Sequence, residues 1–119
     1  MKCENLEVWK KAAALSADIY LHLAELKDFG FKDQLTRSGL SVPSNIAEGM
    51  ERISEQEKIR FLDIARASTA EAATQIYIGM KIGYIQKEAG KKWIEDLDHI
   101  AKMLSSLIGT IKQSRTQGN

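Results

Sequence analysis

The segment from Trp93 to Ile111 constrains the fold more than any other part of the chain. Trp93, Leu97, Ile100, Leu104, Leu107 and Ile111 recur at spacings of 4, 3, 4, 3 and 4, an a/d heptad. Ile94, Ala101 and Ile108 add a flanking row at spacing 7. The apolar stripe is three residues wide per heptad, which suits a bundle better than the thin seam of a two-stranded coiled coil. One helix cannot hide such a stripe alone, so the rest of the chain must supply its partners.

Three other segments keep a helical rhythm. In the first, Leu6, Trp9, Ala13, Ser16, Tyr20 and Leu23 follow 3/4 spacing beside Ala12, Ile19 and Leu26, and "KDFGFKD" around Gly30 ends it. The third opens on Ser54-Glu55-Gln56-Glu57, a capping box. Its seam reads Phe61, Ala65, Ser68, Ala72, Gln75, Gly79 and Ile82, with Gly83 placed to terminate it. Those residues are mostly small or polar, so the seam buries little area and relies on close contact and hydrogen bonds.

The second segment contains "SVPSNIAEGM", residues 41–50, with the only proline in the chain. Leu35, Gly39, Val42, Ile46 and Gly49 hold their spacing across Pro43, which favours one kinked helix over a new helix starting there. Gly39 can bend at the carbonyl that Pro43 leaves unbonded, and Ser41 and Ser44 offer hydroxyls to freed carbonyls. The reading is all-α: a single-domain, antiparallel up-and-down four-helix bundle, helix 2 kinked at Pro43, with helices at about 5–27, 32–51, 55–83 and 87–114 of 119 residues.

Several function classes are disfavoured at once. No run approaches the roughly 20 apolar residues of a membrane helix, and Glu4 and Glu7 interrupt any leader-like stretch near the start. The lone Cys3, near an end expected to be mobile, reads as an incidental thiol, and cysteine usage fits the cytoplasm. Neither His22 nor His99 follows a glutamate by three residues, so a di-iron carboxylate site and other metal centres are not expected. No phosphate-cradling glycine loop or dinucleotide fingerprint is present, and no cofactor or small-molecule substrate is implied.

Two groups of polar residues remain. Ser41, Ser44, Asn45 and Glu48 cluster beside Pro43, while Ser68, Glu71 and Gln75 lie on the third segment. If the two helices are neighbours, Asn45 and Glu48 could meet Gln75 and Ser68 in a network that fixes register. Glu48 or Glu71 as a general base is the weaker reading, because no nucleophile or histidine accompanies them. The second group is basic. Lys81, Lys87, Lys91 and Lys92 gather about one turn, with Arg60 and Arg66 on the third segment and Lys10 and Lys11 on the first. Residues 1–59 carry 8 Lys/Arg against 10 Asp/Glu, and residues 60–119 carry 9 against 6, so the positive charge sits in the second half. Repeated by symmetry, even a mild patch becomes a phosphate-binding ring. Val8, Leu15, Leu40, Ile64 and Ile78 are left over after each stripe is assigned, and they point to contact with another subunit.

"ENLEVWKKA…LSADIY" (4–20), "QLTRSGLSVPSNIAEG" (34–49), "RFLDIARASTAEAATQ" (60–75) and "KIGYI" (81–85) resemble, in order, blocks of the proteins encoded in intervening sequences of bacterial 23S rRNA genes, also labelled S23 ribosomal proteins. The chain is also similar to the accessory protein of diversity-generating retroelements, a related pentameric barrel. The resemblance implies an up-and-down bundle with the proline inside helix two, assembled as a homopentamer. Its motif positions fall here on Trp9, Arg37, Pro43, Ser44, Asn45, Glu48, Gly49, Phe61, Glu71 and Gln75, with no catalytic role implied for any. The functional expectation is a non-enzymatic, cytoplasmic, oligomeric bundle associated with RNA, with 23S rRNA or its processed fragments as the candidate, through Arg60, Arg66, Lys87, Lys91 and Lys92. The alternative is a scaffold that binds a partner protein and no nucleic acid.

Overall fold

The computed structural model describes residues 1–117, with side chains as far as Ser114. Four helices follow one another: α1 (Glu7–His22), α2 (Phe29–Glu51), α3 (Glu55–Lys81) and α4 (Lys87–Gln117). Short turns reverse the chain three times, so neighbouring helices run antiparallel. The broadest seams join α2 to α3 and α3 to α4, α1 packs less extensively on α2, and α1 with α4 is the thinnest; the backbones of diagonal pairs do not come close. The result is a square up-and-down bundle drawn into a rod of 54 × 21 × 21 Å.

Local chemistry explains most of the boundaries. Ser54 caps α3, its hydroxyl accepting from the Glu57 backbone N–H at 3.1 Å, as the capping box predicts. The other end of α3 closes on Gly83, whose φ of +81° is a left-handed conformation open to glycine at little strain. There Tyr84 N–H donates to the Gly79 carbonyl and Gly83 N–H to that of Met80, the Schellman pattern. The α1–α2 turn differs from expectation. α1 stops at His22 rather than about 27, and α2 starts at Phe29 rather than 32, because Asp28 caps it by accepting from Phe31 N–H at 3.1 Å. Gly30, read as a terminator, lies in the first turn of α2. A capping aspartate outweighs the modest helix penalty of one glycine at a helix start.

α2 runs unbroken through Pro43, and no helix restarts there. Its seam is the expected one: Leu35, Gly39, Val42, Ile46 and Gly49 are all buried. α4 follows its heptad as far as Leu104, with Trp93, Leu97, Ile100 and Leu104 at most 2% exposed; beyond it Ile108 of the flanking row is buried while Leu107 and Ile111 are half-buried. The α1 seam is displaced by about one residue, and the α3 seam only in part. α1 buries Val8, Ala12, Leu15, Ser16 and Ile19, so Val8 and Leu15 are core residues and not spare contacts for a neighbour. Trp9 and Ala13 are only half-buried, and Tyr20 is exposed. α3 buries Ala65, Ser68, Ala72 and Gly79 of the expected seam, while Leu62, Thr69 and Ile76 are buried beside them in place of Phe61, Gln75 and Ile82, which makes the seam richer in large aliphatics than expected. Ile82, expected inside, is 53% exposed. Both helices have apolar residues on more than one stripe, so periodicity fixes the spacing but not which stripe faces inward. Cys3, expected at a mobile end, is fully buried, packed beneath the turn before α1.

One end of the rod carries the α1–α2 and α3–α4 turns, and they are tied together. Tyr84 donates its hydroxyl to Asp28 Oδ2 at 2.8 Å and packs edge-on against Phe31 with ring centroids 5.3 Å apart. The Phe31 backbone N–H, then the Tyr84 hydroxyl, hold the Asp28 carboxyl below its ordinary value of 3.8. The bond to Asp28, then burial, raises the Tyr84 hydroxyl above 10.0. A depressed carboxyl contributes stability above its unfolded pKa and loses it as pH falls through the folded one; a raised phenol contributes below its unfolded pKa and loses it as pH rises through the folded one. Tyr84→Phe should therefore flatten both limbs of a melting-temperature profile, below about pH 4 and above about pH 10. The acid limb should flatten only partly, because the Phe31 bond stays. An unchanged profile would show that the tie is not formed in solution.

Candidate interaction surfaces

The polar residues singled out from the sequence do meet, with different partners from those expected. Along the α2–α3 seam, Asn45 Nδ2–H donates to Ser41 Oγ at 2.9 Å and to the Ser41 carbonyl at 2.8 Å. The Ser41 and Ser68 hydroxyls lie 2.9 Å apart, and Ser68 Oγ–H donates to the Ile64 carbonyl at 3.0 Å. With Ser68's proton so used, Ser41 is the donor of that pair and a one-way chain of donors crosses the seam. One turn further on, Ser38 donates to Gln75 Oε1 at 2.6 Å. Glu48 takes no part: it is exposed and accepts from Arg52 at 2.8 Å. Glu71 is exposed too, on the face of α3 between Ile64 and Ile78. Neither carboxylate joins the network, which is what a register-fixing device looks like and not what a general base needs. Ser44, offered as a hydroxyl for a freed carbonyl, is exposed; the Asn45 amide reaches the Ser41 carbonyl in its stead. Arg37 stays on the surface beside Asp33 at 3.0 Å.

Phe61 and Gly49 mark where α2 and α3 come closest. A Cβ on Gly49 would lie 2.9 Å from Phe61 Cβ and 3.3 Å from the Lys58 carbonyl oxygen. The Phe61 ring lies beneath the guanidinium groups of Arg52 and Arg60, 4.6 and 5.4 Å from its centroid. Sequence periodicity placed Phe61 in the core, but it is half-buried and the adjacent Leu62 is the buried residue, while the two arginines cover the outer face of the ring.

On the opposite flank, α1 and α2 leave an apolar groove of about 410 Å³ lined by Trp9, Ala13, Ala17, Leu40 and Pro43. Tyr20 forms its end wall and also borders the next hollow, of about 580 Å³, which reaches Phe29 and Lys32. Small side chains let the surface dip, and large ones wall it. Phe29 is 71% exposed, and Leu40 and Tyr20 are each 45% exposed. Ile64 and Ile78 face solvent on α3 as the leftover row anticipated.

The five basic candidates do not form one patch. Arg60 and Arg66 lie in the first half of α3, toward the α2–α3 turn, whereas Lys87, Lys91 and Lys92 occupy the start of α4 at the other end. Arg60 pairs with Glu57 at 3.2 Å, Arg66 with Asp63 and the Ser105 hydroxyl, and Lys92 with Asp96 at 3.0 Å. Lys87 and Lys91 are exposed and have no ion pair among the described residues.

At that same end, Trp93 Nε1–H donates to Asp18 Oδ2 at 2.8 Å, tying α4 to α1. His22 stands edge-on to Trp93, ring centroids 5.1 Å apart, with Nδ1 3.0 Å from the Asp18 carbonyl oxygen. None of this was legible beforehand, since Asp18 and Trp93 are 75 residues apart. Among the described residues no group of three or more His, Cys, Asp or Glu could hold a metal ion, and no helix is long and apolar enough to cross a membrane.

The fold and its surfaces define a four-helix bundle whose polar network is structural and whose exposed features are an apolar groove and a lysine-bearing end. The profile of the 23S rRNA-intervening sequence protein family matches residues 4–106, and the chain belongs to that family. It is also similar to the crystal structure of a protein of unknown function from the S23 ribosomal protein family of Bacteroides thetaiotaomicron. Identity is 30% and the TM-score 0.80, over 85% of this chain and 97% of that one. No curated protein matches it significantly.

Proposed function

We propose that this protein is a non-enzymatic cytoplasmic bundle that self-associates and binds RNA through electrostatic contacts at its lysine-bearing end. Lys87 and Lys91 carry the reading. They are the two of five candidate cations whose charge no internal carboxylate neutralises, and assembly would multiply them around a symmetric particle. Arg60, Arg66 and Lys92 contribute less, because each would have to leave an acid to reach a phosphate. The α1–α2 groove and the exposed Ile64 and Ile78 supply apolar surface for contact between copies, in line with the pentamer implied by the family resemblance.

The test has two arms. In a salt titration of RNA binding, Lys87→Glu/Lys91→Glu should weaken affinity at low salt and reduce the log–log slope by roughly 0.7 per lost phosphate contact. In light scattering, Leu40→Glu should move the protein toward the monomer mass. Wild-type protein that binds no RNA at low salt removes the RNA reading, and wild-type protein that scatters as a monomer removes the assembly. The groove also favours a second reading, a scaffold for a partner's helix. Under it, a pull-down from native lysate retains the partner after RNase treatment.

A further inference from the structure

Between α1 and the α3–α4 turn lies a cavity of about 260 Å³, lined by His22, Leu23, Tyr84, Gln86, Ala89 and Trp93. It is below the roughly 300–1,000 Å³ of drug-sized ligand sites and too small for a partner's helix. Its walls combine aromatic surface with groups able to read the edge of a flat heterocycle. His22 Nδ1–H donates to the Asp18 carbonyl, which leaves Nε2 as an unengaged acceptor in the neutral ring. Gln86 is exposed and brings both an amide donor and an acceptor. Tyr84 is 37% exposed, whereas Trp93 is 2% exposed and contributes its edge to the wall. The two carboxylates at the margin are already occupied: Asp18 accepts from Trp93 Nε1 and Asp28 from the Tyr84 hydroxyl. The helix that leaves Gln86 begins with Lys87 and carries Lys91 one turn later, both exposed and, like several other described lysines, in no ion pair.

We infer that this cavity takes one unpaired nucleobase of a bound single-stranded RNA, while Lys87 and Lys91 hold the flanking phosphates. The inference rests on the RNA reading above and adds to it a defined base site. Stacking and edge hydrogen bonds require an unstacked base, so the site discriminates single strands from duplex rather than one sequence from another.

Trp93 forms part of the wall and reports occupancy in a Trp9→Phe background, used once light scattering shows that it keeps the wild-type mass, because Trp9 lines the α1–α2 groove. In that background, a ten-nucleotide oligoadenylate is titrated at low salt, following Trp93 emission and the anisotropy of the labelled RNA. A blunt RNA duplex serves as the comparison. The expected result is a saturable change in Trp93 emission with the single strand. His22→Ala/Gln86→Ala should weaken single-strand binding by about tenfold and leave duplex binding nearly unchanged. Both side chains are exposed, and far-UV circular dichroism with a thermal melt verifies that the variant folds. Single-strand binding that is indifferent to the double variant, or that saturates with no change in Trp93 emission, overturns the base site and leaves the RNA reading standing. Absence of binding to either RNA overturns both.

Discussion

Replacing Trp93 by alanine is expected to destabilise the fold by about 3–5 kcal/mol, read as a fall in the urea midpoint at unchanged slope. Trp93 opens the α4 heptad, is 2% exposed, and is among the largest fully buried side chains. Its removal opens a cavity where α1 and α4 make the thinnest seam of the bundle, and it deletes the indole N–H that ties α4 to Asp18. His22 also loses the ring it stands against. Asp18 is half-exposed and can turn to water, so most of the effect is lost packing and not a stranded charge. Trp93→Phe refills much of the space and should cost less than half as much. A shift below about 1 kcal/mol for the alanine variant would contradict the burial on which the core rests.

Two helical glycines should respond to substitution with opposite signs. Gly49→Val is expected to destabilise by about 2–3 kcal/mol, because its Cβ would press on Phe61 Cβ and the Lys58 carbonyl, atoms anchored to the α3 backbone. Gly49→Ala should fall nearer neutrality, since about 1 kcal/mol of helix propensity offsets the clash. Gly109 has nothing within 4 Å of where a Cβ would stand. Gly109→Ala should therefore stabilise by up to about 1 kcal/mol, propensity acting alone. Thermal melts of the three variants check the pattern. Stabilisation at both sites would mean that α2 and α3 are further apart than described.

That contrast shows how far the chain could be read without coordinates. Gly49 and Gly109 both lie in helices, and spacing separates them only as seam and off-seam; how close a neighbouring backbone comes to Gly49 is a tertiary fact. The polar network was legible in its members, since Ser41, Asn45, Ser68 and Gln75 stood out as polar residues near apolar seams. Its pairings were not, because α2 and α3 can slide by a turn without breaking either pattern. Glu48 was misplaced for a simpler reason: Arg52, four residues on, offers it an exposed partner at no desolvation cost. The basic residues were found as types, but sequence cannot show that Arg60 and Lys87 lie toward opposite ends of the rod, or which cations an acid already neutralises.

By itself the amino-acid sequence determined the number of helices, the continuity of α2 across Pro43, the caps at Ser54 and Gly83, the inward face of α2, and that of α4 as far as Leu104. These follow from spacing and from backbone chemistry acting over a few residues. Only the tertiary structure decided which stripe of α1 is buried, which large residues of α3 join its small ones inside, which carboxylates are spoken for, and where a groove or a hollow remains. Those outcomes depend on atoms brought together from distant positions in the chain, and periodicity is silent about a helix that is apolar on two sides.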